Sequence, residues 1–508
     1  MSALELNVPA LTATASAAQL RAIRDWLDAL PKLNESHAVD AVLGRLRDIN
    51  RLALDPAQRF ALAEGFFSVA EYLSETQCRR CEHLEFPLGE DDQAHSDQIQ
   101  RLLEETAIGY KRVLVDLDAD PPTAFSPSQT QALLRDAALQ AMRLLTWSVL
   151  QGYVIYQNAP PGVWLELHRL YRYAERIDVA AVRVEHLADQ SVGDVYRRVL
   201  LLALANPFHL MQGEVRLTYD KLAKWALAAR IRHPAEFPPE APTTFFADRC
   251  HVDLYGDAPP GFGLPPGAIP PRDARILELR PVTQIVEDRI RKLVLKGQLS
   301  MPEQLERDLL RRLRNAWNGR PARAAERIDE QRDVRVVSGL RACHHALSDG
   351  APFQPERDEV ALHGDAFRSK PSLSLVPLEE EPWRRDDTRG KLEQGLLKPR
   401  GYSFDMERHD DDIWERAERT GSVRSTQLEE RLDSRLVQRS GALQLHDVSA
   451  MGMGVRFAGD SPLRFRVGDL VRVVDDADAR YDDSIGTVCW LRHTGAGQLA
   501  LGFNRIGG

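Results

Sequence analysis

The 508-residue chain has no apolar run long enough to cross a bilayer, and its start, Met1 to Thr14, lacks the basic stretch of a secretory leader. A cytoplasmic protein with no transmembrane segment is expected. Cysteine is scarce: five residues with no disulfide-like framework suit a reducing compartment. An excess of positive charge is missing too. The net charge is −9, which argues against nucleic acid as a partner, because phosphate neutralisation needs a basic face. No Walker-type phosphate loop, H-E-x-x-H pair or nucleophile elbow occurs, so no common enzyme class is indicated. Cys78-Arg79-Arg80-Cys81 with His83, and Cys343-His344-His345, have metal-like spacing but fall short of the four ligands of a structural zinc. No metal is expected.

What remains is an ordinary globular composition, 43% hydrophobic and 28% charged, in a chain too long for one core. Residues 16 to about 230 read as successive helices. Ser16 with Gln19 forms a capping box ahead of Leu20, Ile23, Trp26, Leu27 and Leu30 at helical spacing. Asp55-Pro56 and Ser126-Pro127 each place a capping side chain before a proline at the first helical position. Leu62, Phe66, Val69 and Leu73 form the apolar stripe of the first of these helices, and the second is expected to end near Tyr156. Further helices are expected over 161–177, 192–205 and 207–232, giving a bundle or solenoid-like domain over 1–232.

Residues 233–272 are proline-rich and read as a linker, followed by a short strand over 276–280 and more helix over 282–317, with Leu305, Leu309, Leu310, Leu313 and Trp317 on one face. Residues 16–317 should be almost wholly helical. The periodicity then changes toward two. Residues 333–340 read as a strand, and from Leu443 onward short strands alternate with glycine turns, as in a barrel or sandwich. The expected domain is 318–508, with its strands over 331–347 and 443–505. Residues 349–440 between them are charged and poor in apolar runs, and read as a partly disordered insertion.

The sharpest local pattern is Asp447-Val448-Ser449-Ala450-Met451-Gly452 at a strand end. Asp and Ser two apart can share one face of a strand, and glycine permits a tight turn or a close ligand. A plain side-chain-capped turn is the alternative. The pattern resembles the D/N-x-S-x-x-G signature of the PilZ family, and "GDLVRV", "GTVCWLRH" and "LALGFNRI" resemble the rest of that family's barrel. "RDINRLALDPAQRFALAE" and "LANPFHLMQGEV" are similar to the long N-terminal regions of a proteobacterial group of PilZ proteins. The resemblance implies an α+β multidomain fold: a large all-α N-terminal region, then a C-terminal six-stranded antiparallel barrel. It also implies cyclic di-GMP as ligand, with Asp447, Ser449 and Gly452 in the site. Its effector role would lie in motility or attachment, reaching a protein partner through the helical region at a cell pole or membrane-associated machine. No GGDEF-like or EAL-like stretch supports synthesis or breakdown of the messenger. A degenerate barrel acting only as an interaction module is the competing expectation.

The family also carries an R-x-x-x-R pair before its first strand. Arg431/Arg435 and Arg435/Arg439 have that spacing but leave no room for a strand before Leu443. Arg323 and Arg327 precede a strand and are the preferred pair, because a planar guanidinium makes paired bonds to phosphate or a guanine edge. A solvated helical face is the alternative for so common a spacing.

Overall fold

In the computed structural model, the residues described are 4–14, 16–28, 35–237, 249–263, 274–319, 327–348, 439–458, 463–474, 484–495 and 498–507. The chain divides into two units, residues 1–336 with 442–508, and residues 337–441.

The first unit is built on long helices whose ends are capped as their sequences dictate. α1 (Ala17–Asp28) starts after the Ser16–Gln19 capping box. α2 (Glu35–Asn50) leads to β2 (Leu52–Ala53), which pairs in parallel with β1 (Ala13–Thr14), and then to α3 (Pro56–Cys81), whose first N–H groups donate to Asp55 Oδ1 at 3.0 and 3.3 Å. α4 spans Glu90–Ala119. α5 (Pro127–Val154) starts on a capping box, with Ser126 Oγ and Gln129 Oε1 each accepting the other residue's N–H. From Asp136 to Val154 every residue of α5 except Arg143 and Trp147 is buried, so this two-thirds of the helix has no solvent face and forms the axis of the domain. Its two buried glutamines are bonded internally: Gln140 donates to Glu64 at 2.7 Å, and Gln151 donates to Ser74 O and Oγ at 2.7 and 2.8 Å, whereas Thr146 Oγ1 is buried with no partner among the described residues. α6 (Val163–Arg176), α7 (Val192–Leu204) and α8 (Glu214–Trp225) pack around it.

The helix expected over 207–232 is broken. Pro207–His209 is a single 3-10 turn, and Gly213 at φ +79° redirects the chain into α8. The proline-rich stretch and its flanks also hold a sheet, of which the sequence announces one strand, the one expected over 276–280 and found at Ala274–Glu278. β3 (Arg230–Arg232), β4 (Cys250–Asp253), β5 (Gly261–Phe262) and β6 (Ala274–Glu278) pair in the order β3-β6-β4-β5. The near-complete helicity expected for 16–317 is corrected accordingly. α9 (Arg280–Lys296) and α10 (Met301–Trp317) form a hairpin, docked through Leu309, Leu310 and Leu313 and by Trp317 Nε1 donating to Leu201 O at 3.1 Å. Leu305, expected on that face, is exposed instead.

The barrel is a closed set of six strands: β7 (Ile328–Ser338), β8 (Ser440–Ser449), β9 (Gly452–Ala458), β10 (Leu470–Val474), β11 (Ser484–Gly495) and β12 (Gln498–Gly507), in the order β10-β11-β12-β9-β8-β7. β7 thus joins strands more than a hundred residues downstream, as its alternation predicts. The strand is shorter than expected at its C-terminal end. Gly339, at φ +93°, turns the chain into α11 (Leu340–Leu347), so residues 340–347 are helix and not barrel. In the second unit the described residues are 337–348 and 439–441, with Ser338 N donating to Arg439 O at 3.0 Å. The insertion expected over 349–440 lies almost entirely outside the described residues.

The barrel is seated on the helices. Phe86 and Phe465 exchange backbone hydrogen bonds at 3.0 and 2.8 Å, and the Phe86 ring meets Tyr156 edge-on at 4.9 Å. On β11, His493 N donates to Tyr156 O at 2.9 Å, and Arg492 donates to Asn158 Oδ1 at 3.2 Å while lying over the Phe208 ring. Arg466 donates to His83 O at 2.8 Å.

Candidate functional site

The hairpin of β8 and β9 brings residues 447–452 to the outer face of the barrel. Ser449 pairs with Gly452, leaving Ala450 and Met451 as a two-residue turn, and Ser449 Oγ donates to Gly452 O at 3.2 Å. Gly452 is required by close approach: a Cβ there would lie 2.0 Å from Phe503 O.

Inward residues fix which side faces out. Leu445, Val455, Leu501 and Leu491 form one buried row across β8, β9, β12 and β11, and Val448, Met453, Phe503 and Val488 form the next. The row between them faces outward and reads Asp447, Gly454, Gly502, Trp490. Two register shifts create it. One extra residue between Leu445 and Asp447, and one between Val488 and Trp490, re-aim these two side chains outward while the flanking leucines and valines stay in the core. The two glycines make room for their neighbours. A Cβ on Gly454 would meet the Asp447 carboxylate at 2.9–3.0 Å, and one on Gly502 would lie 2.0 Å from Trp490 Nε1. Asp447 therefore covers Gly454 and the indole covers Gly502, side by side. The adjoining outward row is Ser449, Gly452, Asn504, Thr487.

Arg327, one residue before β7, completes the arrangement. Its Nη1 bonds both Asp447 oxygens, at 2.8 and 2.9 Å, across 120 residues of sequence. The arginine is 40% exposed and the aspartate 14%. The bonds run through Nη1, so Nε and Nη2 have no partner among the described residues and are available to an incoming acceptor. Cys489 lies close by. Burial pushes its thiol up, while backbone hydrogen bonds and the Arg327 charge work in the opposite direction. Such a surface offers a carboxylate acceptor, a guanidinium donor and an aromatic face within one patch, the inventory that recognises a purine and a phosphate together.

Of the residues singled out in the sequence, Arg327, Asp447, Ser449 and Gly452 come together. Arg323, Arg431 and Arg435 lie outside the described residues. Sequence reasoning missed Gly454, Gly502 and Trp490; the outward tryptophan in "GTVCWLRH" was the available signal. The cysteines of the helical region are buried, and burial pushes both the Cys78 and Cys81 thiols up to about 12. Among the described residues no group of three or more His, Cys, Asp or Glu is placed to hold a metal, and no helix is long and apolar enough to cross a membrane. A cavity of about 230 Å³ between α3, α5 and α8 is lined by Arg143 and Arg216, but these are paired with Glu71 at 3.2 Å and Glu75 at 2.8 Å.

Comparison with known proteins finds family models over both the helical region and the barrel. Residues 21–236 match the family model for the N-terminal domain of the cyclic-di-GMP receptor FimW, and residues 273–507 match the model for its middle PilZ domain. The chain is 27% identical over 351 residues to the cyclic-di-GMP receptor FimW of Pseudomonas aeruginosa, an alignment covering 65% of this chain and 54% of the relative. The chain thus spans about half the length of that relative. No solved structure matches.

Proposed function

We propose that this chain, which belongs to the family of PilZ-domain cyclic di-GMP receptors with a long helical N-terminal region, binds cyclic di-GMP on the outer face of its barrel. It is a binding protein, not an enzyme. The observation that most supports the reading is the Arg327–Asp447 ion pair beside Trp490. Cyclic di-GMP carries two phosphates and two guanines. Arg327, with Arg323 from the same segment, clamps phosphate or the acceptor edge of guanine. Asp447 accepts from the donor edge of guanine, Ser449 adds a hydroxyl, and Gly452 keeps the approach open. Trp490 supplies a stacking face.

Transmission follows from the seating of the barrel. Trp490 in the site and Arg492 and His493 at the helical seam lie on the same strand, two and three residues apart. Ligand that favours one setting of β11 biases the helices against which that strand rests, provided its affinity differs between the two settings. The helical region then presents the surface read by a protein partner in motility or attachment, at a pole or membrane-associated machine.

Isothermal titration of the intact chain with cyclic di-GMP tests the reading. Binding at micromolar ligand or tighter is expected, uncompeted by GMP. Charge-assisted bonds contribute about 1.5–3 kcal/mol each, so Arg327→Ala should weaken binding roughly ten- to a hundredfold. Absence of binding by the folded wild-type chain at micromolar ligand would leave the non-binding scaffold in its place.

A further inference from the structure

The hairpin of α9 and α10 ends in a tip that the rest of the fold leaves uncovered. Leu293, Leu309, Leu310 and Leu313 face the core, but Val294, Leu295, Met301 and Leu305 face solvent, with Leu295 79% and Met301 68% exposed. These four side chains flank one short turn, where Gly297 at φ +77° ends α9 and Ser300 caps α10. Exposed leucine and methionine are unremarkable singly, but four converging on one turn form a patch. Charge marks the same element. Residues 280–317 hold nine basic and five acidic side chains in a chain of net charge −9. Arg291, which also bonds Asp288 at 3.1 Å, lies one turn below Leu295, and Lys292 lies one turn below Lys296, so basic side chains stand beside the apolar tip. The two carboxylates nearest the tip are already engaged: Glu303 by Lys296 at 2.6 Å and by the Ser300 N–H at 3.0 Å, and Glu306 by Arg289 at 2.6 Å and Lys221 at 3.0 Å.

We infer that this tip docks on an anionic lipid surface. A protein partner seats an apolar helix face in a groove or along a flank, whereas here the exposed apolar side chains flank the turn of a helical hairpin rich in basic residues. A deformable headgroup layer accepts that shape, taking the apolar tip into its boundary while arginine and lysine reach back to the phosphates. Each basic residue near an anionic leaflet adds to the attraction, and salt weakens it. The inference is independent of the ligand site on the barrel.

Co-sedimentation of the intact chain with vesicles decides it. The protein should pellet with vesicles of phosphatidylglycerol and phosphatidylcholine and stay in solution with phosphatidylcholine alone, and added salt should release it. Leu295→Ser with Met301→Ser removes most of the tip's apolar area at exposed positions, so the melting temperature should hold while vesicle affinity falls by about tenfold or more. Arg291→Glu with Lys292→Glu should weaken binding to the same vesicles. No pelleting with the anionic vesicles, or pelleting unchanged by Leu295→Ser/Met301→Ser, would overturn the inference. So would light scattering that shows a dimer which the same double variant dissolves, since the tip would then be a contact between two copies.

Discussion

Acid should loosen the seam between barrel and helices, and His493 should carry a measurable share of that effect. Its backbone N–H bonds Tyr156 O, while its Nε2 is buried with no hydrogen-bond partner among the described residues. Burial pushes the imidazole down to about 4, and His209 on the opposing turn is pushed down to about 4 for the same reason. An unfolded histidine titrates near 6.5, so the unfolded chain takes up the proton first. The stabilisation is therefore whole above about pH 6.5 and is lost as pH falls toward 4. Linkage puts the loss between about pH 7 and pH 5 at roughly 2 kcal/mol for each histidine. Urea unfolding of wild type and His493→Gln at those two pH values, followed by tryptophan fluorescence, checks it. The wild type should lose about 2 kcal/mol more than the variant on acidification. Equal losses would refute the reasoning, because they would mean that His493 accepts its proton in the folded seam as easily as in the unfolded chain.

Asp447→Ala removes both the partner that holds Arg327 and the proposed acceptor for guanine, so titration should show cyclic di-GMP affinity lowered about tenfold or more, while Arg431→Ala and Arg435→Ala should change it little. Gly502→Ala forces a methyl into the indole of Trp490. Overpacking of this kind costs about 1–3 kcal/mol, and calorimetry should show weaker ligand binding together with a lower melting temperature. Lys111→Met strands the buried Glu166 carboxylate, which Lys111 Nζ now holds at 2.8 and 3.0 Å; the variant should lose about 3–5 kcal/mol in denaturant, and adding Glu166→Gln should restore much of it.

Local signals in the sequence translated well where one side chain decides the outcome. Asp55-Pro56 and Ser126-Pro127 start helices because the cap and the proline act within one turn. Alternation placed β7 in the barrel despite the long separation. Features that depend on distant pairing were not legible. Of the sheet of β3 to β6, the strand near 276–280 was expected, but its partners are two to four residues long and set among prolines, too short to establish a period. The row from Asp447 to Trp490 depends on two register shifts, and one extra residue reverses the face of everything beyond it, so strand parity counted along the sequence misplaces that row. Arg327 was legible from its position before a strand. Its partner in the folded chain was identifiable only as a member of the same motif set.

The wide gap between β7 and β8 also sets a timetable for synthesis. Arg327 leaves the ribosome long before Asp447, and β12, which neighbours β9, comes last. At roughly 5–20 residues per second, the arginine waits on the order of ten seconds for its aspartate and longer for the strand that supports it. By then the helical domain has all its residues and can fold. A nascent chain arrested anywhere in this interval carries a finished helical platform with one unpaired barrel strand. That strand is an aggregation-prone edge, which a cell has reason to cover with a chaperone until the last barrel strand arrives.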